Sequence, residues 1–149
     1  MRTLRAIVVV CLILVVSCAS QLEISGSELD GAAATMCPAL VEALPSSVAG
    51  QSSRVVTTEG AGSAWGAPPI VLRCGVTDAV GLDATSRCEV VDGVGWYSED
   101  LGEAYRFTTI DRAVPVEVTV PVAYTPEADA LIDLAGAIKE TIPPRHRCV

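Results

Sequence analysis

Four residues, Val15-Val16-Ser17-Cys18, close an apolar run and decide the compartment in which the rest of this chain folds. Arg2 and Arg5 precede the run, Ala6 to Val16 form it, and Ser17 is the small residue at its end, the pattern of an export signal. The Cys18 that follows makes the segment resemble a bacterial lipobox. In such a sequence the peptide is cut before the cysteine, whose thiol then carries a diacylglyceryl anchor. About a dozen helical residues span only ~18 Å, against a hydrocarbon core of ~30 Å, so the run is too short to cross a bilayer. Cleavage near Ser20 without lipid and an uncleaved anchor are the competing readings. Cys11 lies inside the apolar run and leaves with the signal. Two acyl chains hold a protein on a membrane stably where one does not. Cys18 is therefore the expected lipidation site, residues 1–17 the signal, and the extracytoplasmic face of the cell membrane the expected location.

Export fixes what the remaining cysteines can do. Cys37, Cys74, Cys88 and Cys148 form an even set in an oxidising compartment, which reads as a disulfide framework with three possible connectivities. Zinc is the alternative, but no two of them are closely spaced and His146 is the only histidine. Periodicity orders the pairings. Cys37, Leu40, Val41 and Leu44 follow helical i, i+3, i+4, i+7 spacing, and Ile70, Leu72, Cys74 and Val76 alternate along a strand. A helix stripe on that sheet face brings Cys37 to Cys74 and leaves Cys88 for Cys148.

The 132 residues after the signal suffice for one domain with a core. They carry 8 basic and 18 acidic side chains, a net of about −10. That charge offers no footprint for nucleic acid and no attraction to anionic lipid, so lipid on Cys18 has to hold the membrane. Nine arginines to one lysine, with no asparagine, point to a GC-rich bacterial genome.

Residues 18–30 are polar beyond the cysteine and lack periodicity, reading as a tether, with a single domain over 31–149. A helix over Gly31 to Leu44 is stopped by Pro45. Strands are expected over Ser53–Thr58 and Ile70–Val76, with Gly60–Pro69 a loop carrying Trp65 and Thr77–Arg87 a second loop. Cys88–Val91 and Val94–Tyr97 form a hairpin, because Asp92-Gly93 suits the positive φ angles of a type I′ turn. Ser98 to Glu103 is an acidic connection. Tyr105–Ile110 and Val114–Val122 are the clearest strands, the latter with Val116, Val118, Val120 and Val122 on one side. Pro115 and Pro121 each lack a ladder donor, which places this strand at an edge or a bend. Pro126 opens a helix with the stripe Leu131, Leu134, Ala135, Ile138 and Ile142, ended by Pro143-Pro144. The expected fold is α+β: an antiparallel sheet of five or six strands with both helices on one face, disulfide-bonded.

The runs Cys37-Pro38-Ala39-Leu40 to Leu44-Pro45, Ala64-Trp65-Gly66-Ala67-Pro68-Pro69-Ile70-Val71-Leu72-Arg73-Cys74-Gly75-Val76 and Asp92-Gly93-Val94-Gly95-Trp96 resemble the DUF3515 family of uncharacterised actinobacterial envelope proteins. So does Val116 to Pro121 with the closing helix. The likeness spans about Ala32 to Ile142. It implies the same location and a typical cysteine pair at Cys37 and Cys74, and no established activity.

Candidate chemistry is sparse. His146 stands in a Pro-Pro-Arg-His-Arg-Cys tail, where solvent exposure is the plain reading. No Gly-x-Ser-x-Gly, Walker or His-Glu-x-x-His motif occurs, so no catalytic, cofactor or metal residue is assigned. Asp92, Glu99, Asp100 and Glu103 cluster around Trp96 and Tyr97, where carboxylates beside aromatics suit a sugar or cation, or a glycosidase pair. A solvated acidic turn is the plainer reading. Trp65, Trp96 and Tyr97 are the candidate ligand surface, although tryptophans between glycines more often cap a core. Arg73 alternates outward and reads as half of an ion pair. Two functions compete: a non-catalytic envelope lipoprotein that binds an envelope protein or wall glycan through its exposed sheet face, and an envelope hydrolase using the acids near Trp96.

Overall fold

The computed structural model describes residues 21–26, 28–83 and 85–145. In chain order they form β1 (Leu22–Glu23), α1 (Ala33–Ala43), β2 (Ser47–Val48), β3 (Gln51–Arg54), β4 (Val56–Thr57), β5 (Ala61–Trp65) and β6 (Ile70–Cys74). There follow β7 (Glu89–Val91), β8 (Val94–Asp100), β9 (Ala104–Thr109), β10 (Val116–Pro121), a 3-10 turn (Val122–Tyr124) and α2 (Ala128–Thr141). Eight strands make one antiparallel sheet in the order β2-β3-β5-β6-β10-β9-β8-β7, and β1 pairs with β4 in a small parallel ribbon. The α+β class is as expected, while the sheet is larger than the five or six strands read from sequence.

The valine alternation explains why β10 belongs at the middle of this sheet. Val116, Val118 and Val120 are fully buried, while Glu117 and Thr119 turn to the other face. The expectation of an edge position is overturned: β10 pairs with β6 on one side and β9 on the other. Pro115 stands outside both pairings, while Pro121 stands opposite Ala104 of β9 and lies beyond the end of the β6 pairing, which covers only Val116 to Thr119. Pro115 still accepts the Gly75 amide through its carbonyl, at 3.0 Å. Val122, expected on the buried side, has left the strand and is exposed.

The hairpin forms as the turn residues dictate. Asp92 and Gly93 take φ of 45° and 78°, joining β7 to β8. The acidic connection is shorter than expected, because β8 runs on to Asp100. Trp65 is likewise in a strand, not a loop. Small residues build β5 because backbone crowds it: a Cβ on Gly62 would lie 2.6 Å from the Leu72 carbonyl oxygen.

On α1, Cys37 and Leu40 are fully buried, and the Cys37–Cys74 disulfide bolts the helix to β6 with Cα atoms 5.6 Å apart. All five stripe residues of the last helix are buried. The helices differ in placement. α1 lies over β5 and β6, whereas α2 contacts β2 and, at the opposite margin, β7 and β8. The sheet thus curves around α2 instead of lying flat beneath a helix pair. Two polar latches hold the curve. The Ala49 amide donates to Asp133 Oδ2 at 2.8 Å, and Lys139 Nζ donates to Asp92 Oδ2 at 2.9 Å. Behind the hairpin, buried Arg112 donates to the carbonyls of Ile142 and Gly93 at 2.8 and 3.1 Å. Desolvation lowers the pKa of its guanidinium.

The segment read as a tether is partly docked. Leu22 donates its amide to the Val55 carbonyl and Ile24 to that of Thr57, and the Ile24 side chain is buried. The chain then passes round the end of the sheet at Gly75, whose φ of +79° excludes most side chains and whose missing Cβ leaves room for Leu29.

The disulfide closes a loop between residues 37 positions apart, worth about 4 kcal/mol in the chain-entropy model. The double substitution Cys37→Ala, Cys74→Ala is expected to lower the unfolding free energy by that order. Urea titration followed by near-UV circular dichroism measures it.

Candidate functional site

Strand alternation sorts the sheet into two faces. Leu72, Cys74 and the buried valines of β10 face the helices, so Val71, Arg73, Glu117 and Thr119 face outward. The outer face carries charges of alternating sign across four neighbouring strands. Arg73 on β6 stands directly opposite Glu117 on β10 and donates to its Oε1 from both Nε (3.0 Å) and Nη2 (2.7 Å). Glu117 Oε2 lies 3.6 Å from Arg106 Nε on β9. Arg106 in turn stands opposite Glu99 on β8, with Nη1 4.0 Å from its carboxylate. These last two contacts are ion pairs too long to be hydrogen bonds, and Arg106 Nε is buried without a hydrogen-bond partner.

Beside this ladder lies β1. The Ile24 side chain lies over the side of Gly62 where a Cβ would stand, 3.6 Å from that position, and Arg73 Nη1 donates to the Ser25 carbonyl at 3.4 Å. Between β1 and the sheet runs a groove of about 320 Å³, lined by Leu22, Ile24, Val71, Arg73, Arg106 and Thr119 among others. The groove combines two ion-paired arginines, the carboxylates of Glu23 and Glu117, a hydroxyl and an apolar wall.

The residues singled out from the sequence fare differently. Trp65 and Trp96 are core residues at 1% and 0% exposure, which matches the core-capping reading and not the alternative of an exposed ligand surface. Trp65 Nε1 donates to the Pro45 carbonyl at 2.9 Å, tying β5 to the end of α1. Trp96 packs edge-on against Phe107, and its Nε1 finds no hydrogen-bond partner. Half-buried Tyr97 is on the outer face, its hydroxyl against the backbone at Gly81. Arg73 forms the expected ion pair.

The acids near Trp96 do not converge. Asp92 sits at the β7–β8 turn with Lys139, and Asp100 ends β8 with its Oδ1 accepting the Gly102 amide. The seven residues of β8 separate those two by roughly 20 Å at 3.3 Å per residue. Glu99 belongs to the ladder and Glu103 is exposed. In the 77–87 loop, hydrogen bonds led by the Thr85 hydroxyl hold the exposed Asp83 carboxyl below the ordinary carboxylate range. Among the described residues no group of three His, Cys, Asp or Glu side chains is placed to hold a metal, and no helix is long and apolar enough to cross a membrane.

Cys88 is disulfide-bonded as well; Cys148, Cys18 and His146 lie outside the described residues. Arg106 and Glu117 escaped the sequence reading because their roles depend on which strands are neighbours. Glu117 alternating against valines was the available signal, yet it named no partner.

Glu117 bridges two arginines and is the least exposed member of the ladder. Glu117→Ala is expected to cost about 1–2 kcal/mol, since it leaves Arg73 and Arg106 facing each other. Arg106→Ala is expected to cost less than half as much. Paired urea titrations rank the two.

The family described as Protein of unknown function (DUF3515) matches residues 3–147. No curated protein and no solved structure matches. The chain belongs to the DUF3515 family.

Proposed function

We infer that this protein is a lipoprotein held on the extracytoplasmic face of the cell membrane through Cys18, and that it is a non-catalytic binding module of the envelope. The carrying observation is the outer sheet face. Helices cover the other face, whereas here a groove and an alternating charge ladder meet solvent beside β1. Paired charges on a rigid sheet suit recognition of a polar partner, an envelope protein or wall glycan, because misplaced like charges cost several kcal/mol while complementary ones set register. The hydrolase reading draws less support, as Asp92 and Asp100 stand at opposite ends of β8.

Anchoring has a direct test. The natural chain is expected to incorporate labelled palmitate and partition into detergent, while Cys18→Ala does neither; a variant that still partitions there refutes lipidation at this residue. Recognition has another. Arg106→Glu reverses the cation with unused donors, and is expected to reduce partner capture by in-membrane crosslinking at least about tenfold. Undiminished capture by a folded variant removes the outer face as the binding surface.

A further inference from the structure

The way β1 is docked fixes which side of the domain an anchor can present to the bilayer. Resting on the lipidation of Cys18 proposed above, four residue steps separate the anchor from Leu22, the first of the described residues bonded to the domain. Fully extended, they reach at most about 14 Å. A domain of this length has a radius of gyration of about 14 Å and a width of roughly 35 Å. Such a tether is too short to pass around the domain.

Its point of departure is equally defined. Gly62, against which Ile24 packs, stands opposite Arg73 in the register, and both lie on the face away from Cys74 and its bond to α1. The chain therefore leaves from the outer sheet face, with the helices behind.

We propose that the docked N-terminal strand turns the charged outer face toward the bilayer, with the helix layer pointing away. The occupant of this side is the lipid surface, held there by the short tether and not by charge. The domain is acidic, and the ladder presents two arginines against two glutamates. A partner of the outer face is consequently met at the membrane surface.

The test uses the full lipidated protein in phosphatidylcholine nanodiscs containing a small fraction of lipid with a nitroxide on its headgroup. Paramagnetic broadening of amide signals is expected to be severalfold stronger at Val71, Thr108 and Thr119 than at Glu42, Ile132 and Glu140 on the helices. Equal broadening, or the reverse order, overturns the orientation. Ile24→Asp supplies the second arm. Ile24 is buried but stands outside the main core cluster, so this change frees β1 while the sheet and helices keep their packing. The difference between the two groups is expected to collapse while nanodisc binding persists; a difference that survives removes β1 as the orienting element. Loss of acylation and of nanodisc binding in the natural chain is a separate readout, and sinks the anchor together with the orientation.

Discussion

The bond between Cys37 and Cys74 joins the two halves of this architecture. It fastens α1 to β6, and β6 pairs with β10, whose alternating valines form the floor of the core. Everything on the helix side is built against that junction. Leu40 joins the two cysteines in the core cluster, α2 lays its apolar stripe next to α1, and the sheet curls until both of its margins reach α2. A core of this shape has little slack. Its interior is packed nearly as densely as an organic crystal, so the curvature of the sheet and the spacing of the helices are set together.

Different kinds of sequence signal had different reach. Local signals were legible: the Asp92-Gly93 turn, the stripe from Leu131 to Ile142, and the alternation of Val116 to Val120 each depend on near neighbours along the chain. The pairing of Cys37 with Cys74 was legible because each cysteine sits in a clear period. Readings that depended on strand neighbours went astray. Pro115 and Pro121 suggest an edge, yet Pro115 precedes the ladder and Pro121 pairs with β9 alone, beyond the end of the β6 pairing. Glycine and alanine around Trp65 read as a loop, whereas close backbone approach is what requires those small residues. Likewise Ser47–Val48 and Gln51–Arg54 have little intrinsic strand preference and acquire their form from the sheet they join. The same limit explains why the charge ladder on the outer face was visible only as one outward arginine.

The two sides of the sheet therefore do different work. Burial on the helix side supplies stability, with Val118 and Leu72 opposite one another and both fully covered. The outer side adds little to stability, since exposed ion pairs contribute little, but it arranges charge at fixed spacing. Arg106 marks that division most plainly. Its neighbours come close enough to neutralise it and remain too far to occupy its donors.

β1 has a bearing on how the protein comes to rest. Its residues come early in the chain, yet their partners at Val55 and Thr57 follow more than thirty positions later. Before those partners arrive, the chain from Cys18 to the start of α1 is a leash of fifteen residue steps, up to about 50 Å long. Pairing with β4 takes in most of that length. With Cys18 lipidated as proposed, folding would reel the domain in toward its anchor, and the few bonds that hold β1 would set how readily the leash extends again.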